Sequence, residues 1–103
     1  MTDEETSKLF RQFADSYIDV GNQLLEEHDL NLVGSSFIYG AARFSSFIVA
    51  SGSRDLNQYK ANRENALNHF VAQFKQMLEE NLTSYESAFA EPEPAKYEKY
   101  MKK

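Results

Sequence analysis

The chain has 103 residues, 42% of them apolar and 26% charged, which suits one small globular core and excludes a chain that is disordered or membranous throughout. Eleven basic residues against sixteen acidic ones leave a net charge of −5, the wrong sign for a nucleic-acid backbone or an anionic lipid surface. With no cysteine, a disulfide framework and a thiolate zinc site are excluded.

The opening residues Met1 to Thr6 carry neither a basic stretch nor an apolar one. A cytoplasmic address is therefore expected. The first predicted element is a helix over about residues 3–27. At 100° per residue Leu9, Phe10, Phe13, Tyr17, Val20 and Leu24 fall on one side, with Lys8, Arg11, Asp15, Asp19 and Glu26 opposite. Thr2 or Asp3 is placed to cap it, and Asp3, Glu4 and Glu5 suit the positive end of the helix dipole. Gly21 lies within the apolar arc. Glycine there costs about 1 kcal/mol against alanine, so it reads as a point of close helix contact.

The second helix is predicted over about residues 32–51. From Leu30 to Ser53 its one charge is Arg43. Val33, Phe37, Gly40, Phe44, Phe47 and Ile48 share one side, and Ile38, Ala42 and Val49 extend the apolar arc past a half circle. Such a helix is expected to be buried between its neighbours, with Gly34 and Gly40 as further close contacts. A membrane span is disfavoured by Arg43 at mid-segment and by the scattered serines. Gly52 reads as the left-handed residue that ends the helix.

The third helix is predicted from about Asp55 to Phe89, with an apolar stripe of Leu56, Tyr59, Leu67, Phe70, Val71, Phe74, Met77, Leu78, Leu82, Tyr85 and Phe89. Unbroken, it outruns the first helix, so it overhangs, bends near Asn81 to Ser84, or meets another chain. Pro92 and Pro94 then stop helix formation, and residues 91–103 read as a flexible charged tail. The expected fold is all-α: an antiparallel three-helix bundle over residues 1–90 with a long third helix. A right-angled hairpin like a tetratricopeptide unit is the alternative.

Tyr39-Gly40-Ala41-Ala42-Arg43-Phe44-Ser45-Ser46-Phe47, then Tyr59-Lys60-Ala61-Asn62, then Asn65-Ala66-Leu67, Phe70-Val71, Phe74, Met77-Leu78, Glu80-Asn81-Leu82 and Tyr85 resemble a small bacterial, chiefly proteobacterial family. That family is known only as a domain of unknown function, and the resemblance covers about residues 9 to 89. It implies a bacterial, all-helical, cytoplasmic protein. It brings no catalytic residue with it.

The residues offer little chemistry of their own. His28 and His69 lack the glutamate three residues earlier that a helical di-iron site uses, and Glu26-Glu27-His28-Asp29 reads as a solvated helix end. There is no nucleophile elbow and no phosphate-binding glycine loop. Asn62, Asn65 and Asn68 form a solvated face. The expectation is a non-enzyme with no cofactor and no metal. Arg43, alone in an apolar helix, and Arg63, within the apolar arc of the third helix, each need a partner if buried. Either a carboxylate such as Asp15 or Asp19 or an aromatic face serves them structurally, or Arg43 and Tyr39 anchor a partner's acidic group.

Fourteen aromatics, eight of them Phe, are many for one small bundle. The leading expectation is a protein-interaction or homo-oligomerising module that binds neither nucleic acid nor membrane. It would use the Tyr39/Arg43 strip, Arg63, or the end of the third helix at Leu82, Tyr85 and Phe89. The alternative is a small-ligand or regulatory binding protein with a pocket lined by Phe37, Phe44, Phe70 and Phe74.

Overall fold

A computed structural model describes residues 2–90. The charged tail expected over 91–103 lies outside the described residues. The fold is all-α: helices α1 (Asp3–Leu25), α2 (Leu30–Ser51) and α3 (Leu56–Phe89). Contacts of α1 with α2 and of α2 with α3 agree with a three-helix bundle, and short connections at 26–29 and 52–55 turn each helix back on the one before it. Two compact units divide the chain within α2, one ending at Phe37 and one beginning at Ile38.

Local chemistry fixes the helix ends. Thr2 caps α1 through a reciprocal box: the Glu5 amide donates to Thr2 Oγ1 at 3.1 Å, and the Thr2 amide donates to Glu5 Oε1 at 2.8 Å. The Thr2 backbone amide first, and the Thr2 side chain second, hold the Glu5 carboxyl below the usual carboxylate range. Asp29 starts α2, its Oδ2 accepting from the amides of Asn31 at 2.9 Å and Leu32 at 3.1 Å. Asp55 starts α3, accepting from the Gln58 amide at 2.9 Å. The end of α2 differs from expectation, because no glycine has a positive φ. Instead of a left-handed Gly52, the Gly52 amide reaches Ile48 O at 3.2 Å and Ser53 Oγ donates to Val49 O at 2.8 Å. The serine hydroxyl uses a terminal carbonyl that a left-handed cap would otherwise satisfy.

In the first unit, α1 and the start of α2 meet closely at Gly21. Gly21 is buried, and a Cβ built there would lie 2.9 Å from Phe37 Cε2. The ring edge thus occupies the space a side chain would need. Gly34 and Gly40, expected to play the same part, have nothing within 4 Å of that position. In the second unit α2 offers half-buried Ser45 and Val49, and α3 offers half-buried Tyr59, Ala66 and Phe70. The third helix neither stops nor breaks at Asn81 to Ser84; its 34 residues make a rod of about 51 Å.

The buried α2 that its composition predicts is not what forms. Val33, at 6% exposure, and Ala88 are the buried apolar residues among those described, while Phe44 and Phe47 are 63% and 62% exposed and Ile48 is 48% exposed. The reason is geometric. A helix that is apolar around most of its girth needs neighbours on several sides, and Ser45 and Val49 lie about 100° or more from Phe44 on the helix wheel. A neighbour seated over those two leaves the aromatic arc uncovered.

Candidate interaction surface

All six residues singled out as interaction candidates fall in the second unit. Tyr39 and Arg43 stand one turn apart on α2, both exposed, with Arg43 Cζ 5.9 Å from the centre of the Tyr39 ring. Arg43 is therefore not the buried cation its surroundings suggest. It lies over an aromatic face in solvent, which removes the desolvation problem. Arg63 is likewise exposed rather than held in a core. Leu82 and Phe89 are exposed, and Tyr85 is half-buried near the fully buried Ala88. Two surfaces result: the Tyr39/Arg43 strip and a line of apolar residues along α3.

The α3 line extends well beyond Leu82. Tyr59, Ala66 and Phe70, the half-buried positions, fall within about 40° of one another on the helix wheel. Leu67, Val71, Phe74, Leu78 and Leu82 occupy an adjacent arc of about 80°, and all five are between 44% and 60% exposed. In sequence the half-buried and exposed positions read as one apolar stripe, of which only the end at Leu82, Tyr85 and Phe89 is expected to reach a partner. An eleven-residue spacing runs along the whole helix: Leu56, Leu67, Leu78 and Phe89 recur at that interval, as do Val71 with Leu82, Phe74 with Tyr85 and the half-buried pair Tyr59 with Phe70, so the spacing gives two parallel lines and does not say which of them is covered. Eleven residues are three turns of 3.67 residues, close to the natural 3.6, so such a stripe stays on one side of a nearly straight rod.

The α2 arc adds a second apolar feature. Phe44 and Phe47 rings sit 5.8 Å apart with an interplanar angle of 39°, and Gly40 precedes them with open space over it. Helix Leu30–Ser51 is also long and apolar enough, by length and composition, to cross a membrane, with a mean hydropathy of 1.3.

The other expected sites divide as follows. Of the four aromatics expected to line a ligand pocket, Phe37, Phe44 and Phe74 are exposed and Phe70 is half-buried. A solvent-open depression on α1 is lined by Thr6, Ser7, Phe10 and Arg11. Among the described residues no group of three or more His, Asp or Glu side chains is gathered closely enough to hold a metal ion. Within Glu26 to Asp29, the aspartate is engaged as the cap of α2.

No curated protein and no solved structure matches the chain. Residues 10–85 match the family of proteins of unknown function designated DUF3144. Since that match spans most of α1, all of α2 and α3 through Tyr85, the chain belongs to the DUF3144 family.

Proposed function

We propose that the protein is a non-catalytic helical module of the bacterial cytoplasm whose role is association, first of all with further copies of itself. One observation carries this reading: the large apolar side chains of all three helices lie mostly in solvent, while Val33 and Ala88 make up the buried apolar set of the described residues. Ordering a residue costs roughly 1–2 kcal/mol of backbone entropy, and burial of apolar surface is the main term that offsets it. Nearly ninety ordered residues with so little buried need surface supplied from outside the chain. Contiguous exposed apolar area of this kind marks association sites.

Two other ways of covering that surface are weaker. Insertion of α2 into a bilayer is favoured by its hydropathy. It would place Arg43 near the bilayer centre at a cost of at least about 2.5–3.5 kcal/mol, and it would leave the α3 line uncovered. A small ligand would cover only a few of the exposed aromatics. The test is sedimentation and light scattering of the purified chain over a hundredfold concentration range, with helicity followed in parallel. A dimer or higher oligomer that loses helix content on dilution is the expected result. A monomer that keeps full helicity at the lowest concentration overturns the proposal, as does a chain recovered only with membranes and released only by detergent.

A further inference from the structure

We infer that two copies associate through α3 in antiparallel orientation, centred near Gln76, so that Val71 of one copy lies against Leu82 of the other and Phe74 against Leu78. This assignment rests on the self-association proposed above and gives it a surface, an orientation and a register.

The surface follows from exposure. Leu67, Val71, Phe74, Leu78 and Leu82 form one uninterrupted stripe on a continuous helix. Large apolar side chains carry on the order of 200 Å² each, so half-exposure leaves roughly 100 Å² apiece, about 500 Å² per copy and about 1,000 Å² across a pair. That reaches the size at which specific interfaces begin, before the flanking residues are added. The Tyr39/Arg43 strip presents far less apolar surface.

The orientation follows from charge. In the first part of α3 stand Lys60, Arg63 and Lys75 against a single acid, Glu64; beyond residue 76 the charged residues are Glu79, Glu80 and Glu86. This gradient runs against the helix's own dipole, which favours acids at the start and bases at the end. Within one helix the arrangement is unfavourable. Against an antiparallel partner it is complementary, since the basic stretch of each copy lies over the acidic stretch of the other. A parallel pair would instead bring the basic stretch level with the partner's basic stretch and the acidic stretch level with its acidic one, with Lys75 and the partner's Glu79 on opposite flanks.

The register follows from both. Lys75 and Glu79 lie on the same edge of the stripe, about 40° apart on the wheel. Within the chain they stand in the order, base before acid, that contributes less at a spacing of four. Centring the pair near Gln76 brings Lys75 of each copy beside Glu79 of the other, twice by symmetry. The same register sets Phe74 against Leu78 and Val71 against Leu82, so every exposed residue from Val71 to Leu82 on the stripe meets another apolar one.

Because the chain has no cysteine, disulfide mapping starts from a clean background. Val71→Cys and Leu82→Cys are made separately, and cysteine, a small hydrophobe, suits both positions. In the antiparallel register each cysteine is about ten or more residues, roughly 15 Å, from its own counterpart, beyond the span of a disulfide. Mild oxidation should therefore leave either variant alone uncross-linked, while the two mixed, unfolded and refolded together should yield cross-linked dimer. Self-linking of each variant alone overturns the proposal in favour of a parallel pair. Absence of linking in every sample, with a dimer still seen in sedimentation, overturns the α3 surface but leaves self-association intact. A monomer in sedimentation overturns both. As a second measurement, Lys75→Glu should weaken dimerisation about tenfold, from two symmetric pairs lost and made repulsive, and Lys75→Glu with Glu79→Lys should restore it. An unchanged dissociation constant in Lys75→Glu refutes the register.

Discussion

Gly21→Ala tests the contact that joins α1 to α2. In an exposed helix interior, replacing glycine by alanine stabilises by about 0.8–1 kcal/mol. At Gly34, where nothing lies within 4 Å of the new methyl group, that gain should appear in full. At Gly21 the new carbon would sit 2.9 Å from Phe37 Cε2, closer than carbon atoms approach, and 3.5 Å from Cδ2, an ordinary contact. Either the ring or the helix must move, and overpacking of this kind costs about 1–3 kcal/mol. The propensity gain is offset or reversed, so the two alanine variants should differ by at least about 1 kcal/mol. For a domain of this size that is about 4–8 °C in melting temperature. The assay is thermal unfolding at one fixed protein concentration, since self-association couples stability to concentration. Phe37→Leu in the Gly21→Ala background removes the ring edge and should recover part of the gain, giving a measurable coupling between the two sites. Equal stabilisation by Gly21→Ala and Gly34→Ala, with no coupling to Phe37, would refute the contact.

Other perturbations probe single features. Asp55→Ala removes the acceptor for the Gln58 amide and should destabilise α3 by about 1 kcal/mol, with exchange of the Gln58 amide rising most. Glu5 has a lowered pKa through its bonds with Thr2. Its contribution is therefore complete above the unfolded value of 4.5 and is lost as pH falls through the lower folded value. Thr2→Ala removes the hydroxyl but keeps the backbone amide, the larger cause, so the Glu5 titration, followed by NMR, should move only part of the way back toward the ordinary carboxylate range, and an unchanged titration would refute the side chain's part in the capping box. Arg43→Leu removes an exposed cation from the Tyr39 ring, an interaction worth about 0.5–1 kcal/mol. Helicity and dimer dissociation constant should both hold; loss of association would place the partner surface on α2.

The helices were legible because their cause is local. The 3.6-residue periodicity of α1, the threonine and aspartate before each charged or apolar run, and the absence of alternating strand patterns all act within a few residues. What was not legible depends on who covers a surface. The wheel identifies Phe44, Phe47 and Ile48 as one apolar arc, but a wheel is the same whether the neighbour comes from this chain or another. The three helical glycines make the point in miniature. Gly21, Gly34 and Gly40 look alike in sequence, yet only Gly21 has a ring against it. Gly52 misled for a different reason: Ser53 supplies a hydroxyl to the same helix end, and a side-chain bond of that kind competes with the left-handed glycine cap. For Arg43 and Arg63 the sequence leaves a carboxylate partner, an aromatic face or a partner's acid open, because burial decides among them; both are exposed, and Arg43 lies over the Tyr39 ring.

The exposed α3 stripe also fixes how stability should respond to dilution. If the helices are held by a partner copy, folding and association are one equilibrium, and a tenfold dilution removes about 1.4 kcal/mol from the apparent stability of the pair. The melting temperature should then fall by several degrees for each tenfold dilution. Phe74 lies at the middle of the stripe and is 53% exposed in a single copy, so Phe74→Glu adds a charge that an isolated chain tolerates on its surface. A buried pair does not tolerate it, because each carboxylate would lose its water against an apolar neighbour. The variant should show a lower melting temperature, less helix at low concentration and no dependence of either on dilution. If Phe74→Glu melts like the parent at every concentration, Phe74 is a surface residue in solution as well, and the helices draw their stability from somewhere other than this stripe.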